Sequence, residues 1–230
     1  MKITFYAHAS FRLEGDGLTV ITDPYTCAKS KFEPINEPAD IVLMSSATDD
    51  FHSDPSHVQG NPEVVNTLHL PPEGLMVKGL TVRSFPATES LTFDYQSEYG
   101  RDPDANALYH FTLGGLRFLH MGDIGTKVPQ GPLDALKGQV DVLLALTGEH
   151  ATIALDDLDD AIAQIGPRVV IPMHYFSPKG VLKIEPVETF TDRLPAGRVT
   201  WVGDKSMTLT PDMLPATGQP PHVYVLEQSR

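Results

Sequence analysis

Three short segments of this chain carry side chains suited to gripping a cation and activating water. In Ala39–Asp54, ADIVLMSSATDDFHSD, an apolar strand over Ile41–Met44 runs into a small-residue loop with Asp49 and Asp50, and Ser53-Asp54-Pro55 follows. The frame is that of a strand-end metal loop of the form H-x-H-x-D-H, but Ser46, Thr48 and Phe51 stand where the three histidines would be. In Gly122-Asp123-Ile124-Gly125 a carboxylate leaves a strand between two glycines, whose small size lets a tight turn approach a ligand closely. In Ile171-Pro172-Met173-His174-Tyr175 an imidazole follows a buried strand and points into whatever cleft the loops form. Carboxylates and an imidazole at one point suit a divalent ion that polarises a substrate oxygen and lowers the pKa of water. Taken singly, each piece has a plainer use. An isolated G-D-x-G caps a turn, and a lone histidine past a strand is more often hydrogen-bonded structure.

Positioning these residues falls to a chain that changes rhythm halfway. Ile3–Tyr6, Ser10–Leu13 and Leu18–Thr22 read as a strand meander, with Glu14-Gly15-Asp16-Gly17 as the turn between the last two. Further strands are expected at Ile41–Met44, Leu75–Val77 and Leu80–Phe85, and Asn106–Leu113 and Leu116–His120 flank the hairpin signal Gly114-Gly115. The second half opens with the continuous apolar run Val140–Leu146, a strand covered on both faces. Leu155, Leu158, Ile162 and Ile165 recur at helical spacing, with acids on the other side and Gly166-Pro167 as the stop. A buried strand at Val169–Ile171, a helix over Glu185–Leu194, and strands at Val199–Val202 and Met207–Thr210 complete the pattern. The tail, residues 211–230, is proline-rich with one apolar run at Val223–Leu226, and is expected to pack as an edge or serve as a contact arm. With no composition shift and no internal repeat, residues 1–230 read as one α/β domain, two packed sheets with helices outside.

Composition narrows the partners. The formal net charge of -13 argues against affinity for nucleic-acid backbones. No apolar run approaches the roughly 20 residues that span a bilayer, and MKITFYAHASFRLE is alternating strand with no apolar leader, so a cytoplasmic protein is expected. The single Cys27 excludes an intramolecular disulfide and a multi-cysteine zinc site. The expected partner is a small-molecule ligand or substrate, with neither nucleic acid nor membrane; a homo-oligomer stays open.

Order joins the pieces. Asp23-Pro24, the strand with its acidic loop, the hairpin with G-D-x-G, then strand, helix and strand with P-M-H-Y together resemble the metallo-β-lactamase fold superfamily. Within it they are similar to the bacterial L-ascorbate-6-phosphate lactonase-like, zinc-dependent hydrolase-like group. The resemblance runs from YAHASFRLE through TDPY, ADIVLMS, SDPSHVQGNPEVV, HMGDIG, VDVLLAL and RVVIPMHY to Trp201-Val202-Gly203. It implies a four-layer αβ/βα sandwich with the active site at one sheet edge, ordinarily holding two metal ions. Carried across position by position, Ser46 and Thr48 replace two ligand histidines, Asp50 is kept, and Phe51 replaces the third. Glu89 (or Thr88) stands where the next histidine is expected, whereas Asp123 and His174 remain. The resemblance therefore implies metal-binding and catalytic roles for Asp50, Asp123 and His174. It also implies ligand-orienting roles for His8 and Asp23, a structural role for His120, and a place on the pocket rim for Asn106, whose plainer alternative is a capping or turn role. His52 would reach the site only through a one-residue shift of its loop, and is expected to face solvent. Glu149 and His150 are expected on the same rim, either as a newly acquired polar function or as a plain exposed loop.

Hydroxyls are weak ligands for a divalent cation, so Ser46 and Thr48 leave no His-rich zinc site, and an intact binuclear zinc centre is not expected. The set Asp50, Asp123 and His174 is harder than three imidazoles, which moves preference toward Mn, Fe(II) or Mg, although availability can still favour Zn. Two functions compete. One is a descendant with a degenerate metal site, non-catalytic or altered in activity, that binds a small molecule or a protein; a buried Phe51 would dry the pocket. The other is a single-metal hydrolase of a small ester, lactone or phosphorylated metabolite, with Asp50 also positioning the water. The sequence places the degenerate reading just ahead. Metal-free acid–base chemistry by His174, Asp123, Glu149 and His150 lacks a nucleophile and ranks last.

Overall fold

A computed structural model describes residues 1–230. Strands β1 (Lys2–Ala7), β2 (Ser10–Gly15) and β3 (Leu18–Thr22) form the antiparallel meander, and β4 (Ile41–Met44) and β5 (Glu63–Asn66) join it in parallel. Strands β6 (Leu75–Val77), β7 (Leu80–Thr88), β8 (Ala105–Leu113) and β9 (Leu116–His120) run antiparallel in a second sheet, extended in parallel by β10 (Val142–Leu146) and β11 (Val169–Met173). Strand β12 (Val199–Trp201) edges that sheet, β13 (Ser206–Thr208) returns to pair with β1, and β14 (His222–Val225) slots between β12 and β11. The strand orders are β13-β1-β2-β3-β4-β5 and β12-β14-β11-β10-β9-β8-β7-β6.

Side-chain alternation sets the layers. Ile41 and Leu43 of β4 join Phe5, Phe11, Phe111 and Phe118 in one core shared by both sheets. Val42 and Met44 point the other way, into a second cluster with Tyr6, Tyr25 and Phe32, covered by α1 (Cys27–Ser30) and its following loop. After the short α2 (Tyr95–Tyr99), α3 (Gln130–Leu136) and α4 (Leu155–Ile165) pack on the second sheet through Leu133, Leu136, Leu155 and Leu158. The last helix is α5 (Val187–Thr191). This is the expected four-layer mixed α/β sandwich. No helix is long and apolar enough to cross a membrane.

Three elements differ from their sequence reading for local reasons. The helix expected over Glu185–Leu194 begins only at Val187, because Pro186 is its N-cap and disfavours helix in the residue before it. Strand β7 continues past Phe85 through Pro86; β6 pairs only with Leu80–Val82, so the proline lies where β7 is an edge and needs no second partner. The tail is neither an edge nor an arm, since β14 lies inside the sheet with a parallel neighbour on each side. The half-exposed β5 and α3, with Gly131 and Pro132 in its first turn, had no readable pattern.

Candidate metal centre

The chemistry-bearing residues gather at strand ends. His8 lies between β1 and β2 at φ 51°, Asp23 follows β3 at φ 34°, and His174 follows β11 at φ 51°. A non-glycine residue in the left-handed region carries a conformational cost that packing must offset. His174 is fixed there partly by its own N–H, which donates to the His8 carbonyl at 2.8 Å. After β9, Gly122 takes φ 61°, and a Cβ on it would lie 2.4 Å from the Ala107 carbonyl and 2.5 Å from Asn106 Oδ1. Only glycine lets the chain pass here and turn Asp123 inward.

The loop after β4 is shaped by Asp49. Its Oδ1 accepts the N–H groups of Phe51 at 2.7 Å and His52 at 2.9 Å, folding the chain so that both Asp49 and His52 are buried. Asn106 ties this loop to the next one. Its Oδ1 accepts the Asp123 N–H at 2.9 Å, while its Nδ2 faces Asp49 Oδ2 at 3.4 Å. Asp23 fixes the end of β4 by accepting the Ser45 N–H at 2.6 Å and the Tyr109 hydroxyl at 3.2 Å.

Within this frame His52 Nδ1 stands 3.2 Å from Asp49 Oδ1 and 3.4 Å from Asp123 Oδ2. Its Nε2 lies 3.1 Å from His8 Nδ1, and His174 Nε2 lies 3.5 Å from Asp123 Oδ1. Two buried groups result, Asp49–His52–Asp123 and His8–His52–His174, each offering ligand atoms all within 4.8 Å of one another. Donors on one tetrahedral metal at bond lengths of about 2.0–2.2 Å stand roughly 3.3–3.6 Å apart, close to the 3.2 and 3.4 Å that separate His52 Nδ1 from Asp49 and Asp123. Asp123 Oδ1 and His174 Nδ1 are buried without a hydrogen-bond partner, so the site has polar capacity to spare. By donor type and spacing these residues fit a divalent cation.

The structure thus brings together Asp123 and His174, two of the three residues expected to hold a metal. Asp50 turns away: its carboxylate is over a third exposed and lies 3.5 Å from both Lys29 Nζ and Arg101 Nε. Asp49 and His52 fill the space instead, and His52, expected in solvent, is 1% exposed. Asp49 caps its own turn and so sets the histidine three residues on, but with Asp50 alongside, the spacing in the sequence does not mark which acid does this. His8, expected only to orient ligands, is itself within the imidazole group. His120 is structural as expected, accepting the Gly122 N–H at Nδ1 and facing the Ala9 carbonyl through Nε2.

Glu89 is buried, but its oxygens are taken by Arg101, at 2.7 and 3.0 Å, and by the Asp104 N–H at 2.8 Å. Ser46 Oγ and Thr48 Oγ1 bond each other at 3.1 Å. Glu149 Oε1 accepts the Leu155 N–H and so caps α4, while the exposed His150 packs edge-on to Phe93, with ring centres 5.0 Å apart. Phe51 is buried beside His8 and Tyr99, and walls a cavity of about 320 Å³ that also touches His174.

Burial lowers the pKa of His8 and His174, leaving neutral imidazoles with free lone pairs. His52 moves the opposite way: burial opposes its charge, but the Asp49 and Asp123 carboxylates outweigh that and raise its pKa. Burial pushes the Asp23 carboxyl up to about 7, and pushes His120 down to about 3. Burial also lifts Glu89 to about 7, against the pull of Arg101.

Comparison with known proteins agrees with this architecture. The family model of the beta-lactamase superfamily domain matches residues 2–174, and the chain belongs to that superfamily, in its metallo-β-lactamase fold. It is 29% identical over 195 residues to a UPF0173 metal-dependent hydrolase of Carboxydothermus hydrogenoformans, covering 76% of this chain and 84% of that one. A UPF0173 metal-dependent hydrolase of Thermoplasma acidophilum is 26% identical over 195 residues, covering 76% and 83%. Among solved structures, one assigned as a zinc-dependent hydrolase of the metallo-β-lactamase superfamily from Thermotoga maritima superposes with a TM-score of 0.73 at 25% identity, covering 99% of both chains. One assigned as a metal-dependent hydrolase from Parabacteroides distasonis gives 0.63 at 18% identity, covering 99% of this chain and 93% of that one, a likeness of fold.

Proposed function

We propose that this chain is a single-metal hydrolase, with its cation held by Asp49, His52 and Asp123 and with His174 and His8 adjoining. The observation that carries the reading is the convergence of the buried Asp49, His52 and Asp123 ligand atoms within 4.8 Å, with His52 shared by a second such group that includes His8 and His174. The unpartnered Asp123 Oδ1 and His174 Nδ1 support it. A second metal is not part of the proposal: Glu89, at the position that the resemblance assigns to a further ligand, is already neutralised by the Arg101 guanidinium.

When bound, a divalent ion here supplies Lewis-acid polarisation of a substrate oxygen and a water of lowered pKa. The chain's own part is to orient and to exclude. Asn106 holds the backbone of Asp123 and the carboxylate of Asp49 in one frame. Phe51 closes one side of the site to bulk water, and the Asp123 carboxylate is the acceptor placed to hold a water proton. Hydrolysis of an ester joins the water oxygen to the acyl carbon and breaks the acyl C–O bond. The leaving alcohol takes one proton, and the new acid releases the other.

One observation favours the alternative of a metal-free descendant. His52 lies at hydrogen-bonding distance from Asp49 and close to Asp123, so its imidazolium can supply the positive charge that a metal would bring. Elemental analysis of protein purified without chelator or affinity-tag metal separates the two. About one metal per chain, lost in Asp123→Ala and His52→Ala, is expected. No metal after reconstitution with Mn, Fe(II) or Zn would overturn the hydrolase and leave the descendant.

A further inference from the structure

The cavity of about 320 Å³ beside His174 is lined by seven apolar residues out of eleven. Phe51, Phe93 and Tyr99 form its aromatic wall, with Phe51–Tyr99 and Phe93–Tyr99 ring centres 5.7 and 5.8 Å apart. Leu182 and Ile184 face it, and His150 stands at the edge of Phe93. Its two charged lining residues, Glu98 and Lys183, are exposed and opposite in sign. Phosphate recognition calls for an arginine fork, a nest of backbone N–H groups or a helix N-terminus. No arginine lines this cavity, and the neighbouring Arg101 is committed to Glu89.

We infer that the substrate is an uncharged ester or lactone carrying a compact aryl or branched apolar group, not a phosphorylated metabolite. The apolar group fills the cup of Phe51, Phe93 and Tyr99, which sets the scissile carbonyl beside His174, whose Nε2 lies 3.5 Å from Asp123 Oδ1. A cavity of about 150 Å³ is enough for benzene, so this one takes a substituted ring or a fused pair. Ring-on-ring contact supplies the selectivity, because a phosphoryl group placed here would meet only the single exposed ammonium of Lys183, offset by Glu98, with no arginine fork beside it. The inference rests on the hydrolase reading for the bond that is cut, but not for the group that is bound.

Two measurements keep those apart. Turnover of phenyl acetate and phenyl phosphate is compared on zinc- and manganese-loaded protein. Binding of phenylacetamide, a neutral aromatic probe, is followed by saturation-transfer NMR on metal-free and loaded protein. Both are repeated in Phe93→Ala and Tyr99→Ala, with thermal melts to confirm folding. Phenyl acetate is expected to exceed phenyl phosphate in kcat/KM by about a hundredfold. Each truncation should raise its KM by about tenfold, more than it lowers kcat, and weaken phenylacetamide binding in parallel. Phenylacetamide bound and sensitive to both variants, with no turnover of either ester, would uphold the aromatic pocket and sink the hydrolase. Preference for phenyl phosphate would overturn the substrate class while leaving the hydrolase intact. Phenylacetamide binding that is absent, or indifferent to both variants, would also overturn it.

Discussion

Asp49 and Asp50 are adjacent and chemically identical, yet one is buried against His52 and the other lies between Lys29 and Arg101. Asp49→Asn removes charge from the cluster and also disturbs the turn that presents His52, so metal affinity should fall by at least about a hundredfold. Asp50→Asn loses a long, partly exposed ion pair and should keep both its metal and its stability to within about 0.5 kcal/mol. Competition titration with a chromogenic chelator reads both; equal losses in the two variants would return Asp50 to the site. Glu89 makes a separate case. Its bidentate pair with Arg101 is buried on the glutamate side, and Glu89→Ala leaves the guanidinium with the Asp102 carbonyl and the longer contacts to Asp50 and Asp104. Denaturant unfolding should register a loss of about 2 kcal/mol, the scale of hydrogen bonds to a charged group.

At the scale of elements, the site depends on how strands end. Gly122 and Gly115 both adopt positive φ, at 61° and 73°, but an added Cβ meets Ala107 and Asn106 at the first position and nothing at the second. Gly115→Ala should therefore cost about 1 kcal/mol, the backbone penalty alone. Gly122→Ala adds a steric clash and should cost more than about 2 kcal/mol. It should also weaken metal binding, since Asp123 moves with the turn; urea melts and metal titration of the pair check both. These strand ends also mark how far the sequence could be read. The apolar runs of Ile41–Met44, Val140–Leu146 and Val169–Ile171 mark the central strands, because burial on both faces imposes composition directly. G-D-x-G and P-M-H-Y gave Asp123 and His174, because each leaves a strand at a fixed point. The Asp49–His52 loop stayed opaque: which of two neighbouring acids turns inward is decided by a side-chain-to-backbone cap, and no periodicity records it. The contact of His8 with His52 is equally invisible in the sequence, since a turn between β1 and β2 reaches that loop only through tertiary packing.

For the whole molecule, acid and metal act on stability from opposite directions. Burial alone would raise the pKa of Asp141, but hydrogen bonds from Arg117 hold it below the ordinary carboxylate value. A depressed folded pKa gives stability that is present above the unfolded value of about 4 and lost as pH falls through the folded one. Asp141→Asn should accordingly cost about 2 kcal/mol near neutrality, and the gap from the parent protein should close as the pH drops below about 4. A metal works through mass action. The chain carries a formal net charge of -13, and the cluster buries two carboxylates, Asp49 and Asp123, beside three imidazoles. A cation that binds only the folded state at a hundred times its Kd adds about 2.7 kcal/mol. For a chain of 230 residues that raises Tm by about 5–10 °C. The shift should grow with metal concentration, persist in Asp50→Asn and vanish in Asp49→Asn and His52→Ala. A Tm that rises equally in all four proteins would mean that the ion acts on surface charge, which salt also screens, and the buried cluster would then have no claim on it.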